Sequence, residues 1–298
     1  MGGLTPSVRE FCPAKLNLFL EVHRRRADGF HDLTTVFQTI ALGDDLELSR
    51  AAELPPGSIA CELLGSPGSD VPADDSNLAV RAVRALLDAA GRRDALRLRL
   101  TKRVPSGGGL GGGSADAAGA LRAADRLLEL RTPPDALLRI ASSLGSDVPF
   151  LLCGGSATAT GRGEQLSPLP ALPQRRVVLF VPEIALSTAA VYGALRPPDF
   201  GDRSADEVLL ALRDSSNDRP LLTSHNALWS AAQRVAPDLV ALRARIEAEL
   251  GSPVRLTGSG STLFSVLPAG QVPPPVSLAG LRAIHSTEFA EPANERLR

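Results

Sequence analysis

Residues 104–121 read VPSGGGLGGGSADAAGAL, with six glycines in the seven positions 107–113. Glycine costs about 1 kcal/mol more than alanine in an ordered element, so a run this dense constrains everything around it. LRLRLTKRV (96–104) before it alternates apolar and polar side chains and predicts a strand. SADAAGALRAADRLLEL (114–130) after it is apolar every three to four residues and predicts a helix. Glycine backbone therefore meets a helix N-terminus, where unpaired N–H groups and the helix dipole attract anions. Without Cβ atoms, successive N–H groups can converge on phosphate oxygens. The loop predicts a phosphate cradle. A flexible linker is the weaker reading, because linkers rarely join two such elements directly.

Known phosphate loops differ in detail. A Walker A loop needs GxxxxGK[ST], and no lysine follows these glycines. GxGxxG is satisfied within the run, but a dinucleotide fold wants the loop after its first strand and an acidic residue at a later strand end. Here the loop follows about 100 residues, and Asp125 falls inside the predicted helix. The V-A-I-K and H-R-D segments of protein kinases are absent.

The other elements are strands over KLNLFLEV (15–22), LTTVFQTIAL (33–42), DDLELSR (44–50) and RRVVLFVPE (175–183). DDSNLAVRAVRALLDAAG predicts a helix capped by Asp75 or Ser76 and ended before Gly91. TPPDALLRIASSLG (132–145) predicts another, with Thr132 as cap and Gly145 as stop. SDVPFLL reads as a turn and a short apolar piece, and Pro197–Pro220 as a mobile loop holding a short helix. HNALWSAAQRVA and PDLVALRARIEAELG predict helices, and VRLTGSGSTLFSVL (254–267) a strand, a Gly-Ser turn and a strand. Strands and helices mix without strict βαβ repetition, which predicts an α+β fold. At 298 residues two domains are expected, divided near 153–160.

A formal net charge of −1 leaves no electrostatic footprint for nucleic acid or an anionic membrane. The triplet Arg24-Arg25-Arg26 reads as a solvated loop. Three dispersed cysteines without CxxC spacing argue for reduced thiols. MGGLTPSVRE lacks the n- and h-regions of a signal peptide, and VVLFVPEIAL is too short to span a bilayer. A cytoplasmic protein is expected. Of the 32 basic residues, only Lys15 and Lys102 are lysine. A chain so biased toward arginine keeps a lysine where a compact ammonium is needed, or by chance.

The string PSGGGLGGGSADAA resembles the second motif of the GHMP kinases, which wraps ATP phosphates at a helix N-terminus. CPAKLNLFL (12–20) resembles their first motif, and LTGSGSTLFSV (256–266) their third, a glycine turn that closes over the site. PAKLNLFLEVHRRRADGFHDLTTVFQ (13–38) and LGSDVPFLLCGGSATATGRGE (144–164) resemble a branch acting on a cytidine-diphosphate-bearing alcohol in isoprenoid synthesis. The resemblance runs nearly end to end. It implies a two-domain α+β GHMP kinase fold. Residues 1–158 would form the ATP-binding domain, with 284–298 as a candidate to complete it, and 159–283 a smaller ferredoxin-like substrate domain. It implies ATP with Mg²⁺ as co-substrate, no dedicated metal cage and no tightly bound cofactor.

The resemblance also assigns roles. Asp147 becomes the general base, where the residues alone also allow a turn-forming aspartate. Lys15 becomes its partner, against the plain reading of a strand-edge lysine. Pro105, Gly107, Gly108, Gly109, Leu110, Gly111, Gly112, Gly113 and Ser114 would hold ATP, Ser114 also serving as a helix cap. Phe30 and His31 match a tyrosine–histidine pair that meets cytosine, so stacking is kept and a phenol hydrogen bond is lost. Tyr192 would be a second stacking ring or a core filler, and Thr188, Asn17, Gly258, Ser259 and Gly260 further substrate contacts. His23, His225 and His285 show no ligand spacing. Asn226-Ala227-Leu228 departs from the family's Asn-Asp-Leu, which removes any acid there. A kinase for another acceptor, such as homoserine or mevalonate, and a non-catalytic nucleotide-binding protein remain the alternatives.

Overall fold

β1 (Ser7–Arg25) and β2 (His31–Arg50) form one long antiparallel hairpin, with Lys15 opposite Thr39 and Arg25 opposite His31. The computed structural model describes residues 6–65, 71–217, 220–268, 271–273 and 278–292. The expected strands at 15–22, 33–42 and 44–50 are parts of this hairpin, and β1 extends back to Ser7. From Cys12 to Val22 every β1 side chain is buried, not every second one. Both faces are covered: Cys12, Phe37 and Leu46 pack among helices, while Leu16, Leu18 and Val36 face a second sheet.

The first sheet continues with β3 (Ile59–Leu64), β4 (Leu96–Thr101), β5 (Ser156–Thr160) and β6 (Gln165–Pro168). Its order is β3-β4-β2-β5-β6, with β1 paired to β2 and only β3–β4 parallel among the described pairings. α1 (Leu78–Ala89), α2 (Gly112–Leu127), α3 (Pro134–Leu144) and α4 (Val148–Cys153) share one core with it. α2 is central. Gly119 on it lies so close to Cys12 that a Cβ there would meet the sulfur at 2.3 Å.

The second sheet holds β7 (Arg175–Pro182), β8 (Arg255–Leu256), β9 (Leu263–Pro268) and β10 (Leu281–Glu288), in the order β10-β7-β9-β8. That is the antiparallel strand order of a ferredoxin-like split βαβ unit. Val177 and Leu179 face the first sheet; Val178 and Phe180 pack with α7 (Leu228–Val235) and α8 (Asp238–Leu250). Burial on both faces explains why VVLFV reads as an unbroken apolar run. The α+β arrangement with two sheets that the resemblance implies is thus present, in layers of helices, sheet, sheet and helices.

Several expectations change. A boundary at 158/159 falls inside β5, and the change of sheet comes after Pro168. β10 pairs with β7, so residues 284–288 belong to the second sheet, while Phe289 and Pro292 bridge to Ile40 and Gly154 of the first part. Residues 293–298 lie outside the described residues, as do Met1–Thr5 of the N-terminal stretch and most of the Pro273–Pro275 run. α1 is capped by Asn77, whose side chain accepts from Ala79 N, because Asp74 already engages Ser76. Thr132 does not cap α3; its N–H donates to Asp125, and Pro133 occupies the cap. VPFLLC is helix α4, and β3, β5, β6 and β10 have no counterpart among the expected strands. Within 197–220, α6 (Asp206–Arg213) buries Val208 and Leu212 in the inter-sheet core, so the segment is docked there.

Candidate active site

A cleft of about 1160 Å³ opens between the glycine loop, the middle of β1, the β1–β2 turn and the segment around α5 (Thr188–Gly193). The glycine loop leaves β4 and enters α2, whose N-cap is Gly111 at φ 74°. A side chain at 111 would meet the Lys15 Cγ at 3.1 Å. At Gly109, φ 75°, a Cβ would lie 2.5 Å from the Thr257 carbonyl oxygen. Glycine is required at both positions, by backbone conformation and by contact. On the opposite side, a Cβ at Gly107 or Gly113 meets nothing within 4 Å, so those positions face open space.

Of the predicted nucleotide residues, Gly107, Gly109, Gly111, Gly112, Gly113 and Ser114 line the cleft. Pro105, Gly108 and Leu110 do not. Gly108 O accepts from Thr262 N, and Leu110 O accepts from Lys15 N at 3.0 Å, so these residues fasten the loop from behind. The third glycine turn, between β8 and β9, lies against the loop backbone. Gly258 and Ser259 reach the cleft; Gly260 is buried. Asn226 holds this turn by donating to the carbonyls of Leu256 and Gly258 at 2.8 and 3.0 Å, and its Oδ1 accepts from Leu228 N. That is what the Asn226-Ala227-Leu228 stretch does here.

Lys15 and Asp147 meet, with Nζ 3.3 Å from Oδ2. The lysine side chain is 5% exposed and the carboxylate 30%, so one partner is fixed and the other faces the cleft. Lys15 also donates to Asn17 Oδ1 at 2.7 Å, while Asn17 Nδ2 donates to Thr35 Oγ1 and Thr35 donates to Phe19 O. This chain of bonds fixes which end of the amide meets the ammonium. Asp147 stands at the N-cap position of α4 but makes no capping bond. Its carboxylate is not spent on the turn, which was the competing reading.

At the far end Phe30 is 51% exposed, with the Arg162 guanidinium 4.8 Å from its ring centroid. His31 lies 5.2 Å from the Tyr192 ring and 6.1 Å, nearly parallel, from Phe200. Burial first and then the nearby Arg25 push the His31 imidazole below its ordinary value, favouring the neutral ring. Burial, with Asp147 adding to it, raises the Tyr192 phenol. Thr188 and Ser259 hydroxyls share a hydrogen bond of 2.9 Å across the cleft wall.

Arg25, Arg162 and Phe200 are cleft residues that the motif reading did not single out. The arginine triplet is not a uniformly solvated loop. Arg24 pairs with Asp32, and Arg26 with Asp28 and Asp32, whereas Arg25 has no carboxylate partner among the described residues and lines the cleft. Strand alternation, which turns Arg25 opposite to Arg24 at the end of β1, is the available signal. His23 bonds the Gly201 carbonyl and Thr34, and His225 faces Glu21; neither lines the cleft.

Residues 77–155 match the GHMP kinases N terminal domain. A Moorella thermoacetica protein named 4-diphosphocytidyl-2-C-methyl-D-erythritol kinase is 40% identical over 261 residues, 86% of this chain and 89% of its own length. A Mycobacterium tuberculosis protein of the same name is 38% identical over 266 residues, 87% and 81% of the two chains. A solved 4-(cytidine 5'-diphospho)-2C-methyl-D-erythritol kinase superposes with a TM-score of 0.76 at 36% identity, covering 95% of this chain and all of that one. Homoserine kinase from Cytophaga hutchinsonii, at 17% identity and a TM-score of 0.67, shares the fold. With relatives this similar over most of its length, the chain belongs to the GHMP family of small-molecule kinases, among the 4-diphosphocytidyl-2-C-methyl-D-erythritol kinases.

Proposed function

We propose that the chain transfers the γ-phosphate of ATP to the 2-hydroxyl of 4-diphosphocytidyl-2-C-methyl-D-erythritol, in non-mevalonate isoprenoid synthesis. The observation that carries this reading is the Lys15–Asp147 pair, set in one cleft with the glycine loop on one side and the His31 aromatic cluster on the other. The glycine N–H groups and the α2 N-terminus receive the triphosphate. The acceptor's base stacks at Phe30 and His31 against Tyr192 and Phe200, while the positive charges of Arg25 and Arg162 suit its diphosphate. Nucleotide is assigned to the first-sheet part, and acceptor to the seam between the two.

Phosphoryl transfer asks mainly for alignment and charge stabilisation. Asp147 takes the proton as the acceptor oxygen attacks the γ-phosphorus. The new O–P bond forms while the bond to the β,γ-bridging oxygen breaks, and ADP leaves. Lys15, 3.3 Å from Asp147, orients that carboxylate and offsets negative charge on the transferring group. Among the described residues no cluster of His, Cys, Asp or Glu could hold a metal by itself. Magnesium would enter on the phosphate oxygens, with Ser114 at hand, and would neutralise phosphate charge there. Among the described residues no helix is long and apolar enough to cross a membrane, and we place the reaction in the cytoplasm.

ADP release in the presence of ATP and the cytidyl acceptor, run beside homoserine and mevalonate, tests the reading. Turnover with the cytidyl acceptor alone is expected. Turnover with either small acceptor in its place refutes the acceptor assignment, and ATP binding without turnover of any refutes catalysis.

A further inference from the structure

The second lysine has no place in the cleft. Lys102 follows β4, with its side chain 7% exposed, and donates to Asp44 Oδ2 at 2.5 Å and to Asp116 Oδ2. Asp44 is fully buried, and its other oxygen accepts the backbone N–H groups of Arg103 and Val104 at 2.5 and 2.9 Å. Those N–H groups belong to the segment that enters the glycine loop. Asp116 sits in the opening turns of α2, where the loop ends. The two ends also touch directly, since a Cβ at Gly112 would meet Val104 at 3.1 Å. A guanidinium fork is too wide and planar for a buried point between two carboxylates; an ammonium fits.

We propose that Asp44, Lys102 and Asp116 are positioning residues that hold the two ends of the glycine loop at a fixed separation and, through the loop, set the affinity for the nucleotide. The inference rests on the reading of the loop as the ATP phosphate site. The cluster carries two acids and one base, so with all three ionised it leaves one negative charge behind the helix N-terminus that must receive the phosphates. Asp116 Oδ1 is buried with no hydrogen-bond partner among the described residues. Burial, with Asp44 adding to it against Lys102, raises the Asp116 carboxyl to about 7. The thiols facing Asp116, Cys12 on β1 and Cys61 on β3, are raised by burial first and by Asp116 next, Cys61 to about 11. Both stay uncharged where Asp116 titrates. Glu10 and Arg122, also near Cys12, are paired with each other.

The sign follows from linkage. Anionic phosphate above the loop favours protonated Asp116, so ATP binding weakens as pH rises past about 7. The test compares Asp116→Asn with wild type, taking the ratio of their KM values for ATP from about pH 6 to about pH 8.5 so that titration of ATP itself cancels. The two should agree within about twofold at the acid end, and the variant should bind at least about threefold more tightly at the alkaline end. KM for the acceptor should stay within about twofold throughout. A ratio independent of pH overturns the proposal. Lys102→Met keeps length without charge; its KM for ATP should rise at least about tenfold with the acceptor KM held. A folded Lys102→Met enzyme with both KM values unchanged, or both changed equally, also overturns it. Should that variant fail to fold, the Asp116→Asn series decides alone. Failure of the underlying ATP reading would show separately, as wild-type protein that does not turn over ATP with the cytidyl acceptor.

Discussion

Gly109→Ala tests whether the two glycine turns are built against one another. At φ 75° an alanine incurs the left-handed penalty of about 1–2 kcal/mol. Its Cβ would also stand 2.5 Å from Thr257 O and 3.2 Å from the Gly260 backbone. Both neighbours are main chain, held by the Thr262-to-Gly108 bond, so neither can swing aside. Forced overpacking of this kind costs about 1–3 kcal/mol, giving about 2–5 kcal/mol in all. Gly107→Ala is the comparator: its φ is 71°, but nothing lies within 4 Å of its Cβ, so it incurs the conformational penalty alone. Equilibrium urea unfolding of the two variants should differ by about 1–3 kcal/mol, Gly109→Ala being the less stable. Its KM for ATP should rise as well, because the loop must move to relieve the contact. Equal stabilities for the two variants would refute the claim that the third turn buttresses the second.

Other outcomes follow from the site. Asp147→Asn should lower kcat at least about 100-fold while ATP affinity, measured by calorimetry, stays near wild type. Arg25→Ala should raise KM for the acceptor about threefold to tenfold and leave that for ATP unchanged, an effect that shrinks as salt is added. His31 is held below the ordinary histidine value of about 6.5 by burial and Arg25. The neutral ring is the form present at pH 7, so KM for the acceptor should be flat above that and rise only as acid protonates the ring.

Much of this was legible because the chemistry is local. The glycine loop, the strand through Lys15 and α2 are each written in a few consecutive residues. Lys15 stood out through the scarcity of lysine, and so in retrospect did Lys102, but nothing in TKRV names Asp44 or Asp116 as its partners. Those contacts span 58 and 14 residues and exist only once β2, β4 and α2 are assembled. The change of sheet comes later than expected for the same reason: β5 returns to β2, more than 100 residues away, and β6 follows by pairing with β5, which leaves no mark on SATAT or QLSP. β10 alternates in burial along its length as an edge strand of the second sheet, yet LRAIHSTE is too polar for that to be read from the letters. The mixed role of the arginine triplet depended on which carboxylates the hairpin brings alongside.

β1 has a further consequence. One continuous strand carries Lys15 near its middle and Arg25 at its end, opposite His31, and it is buried from Lys15 to Val22. On the proposed reading, the reacting end and the base-holding end of the cleft are therefore carried by one strand. A molecule would have to be long enough to touch both to use all of the binding energy on offer, so on that reading the enzyme would measure its acceptor as well as read its chemistry. A shortened acceptor would lose its grip at one end without the other moving to meet it.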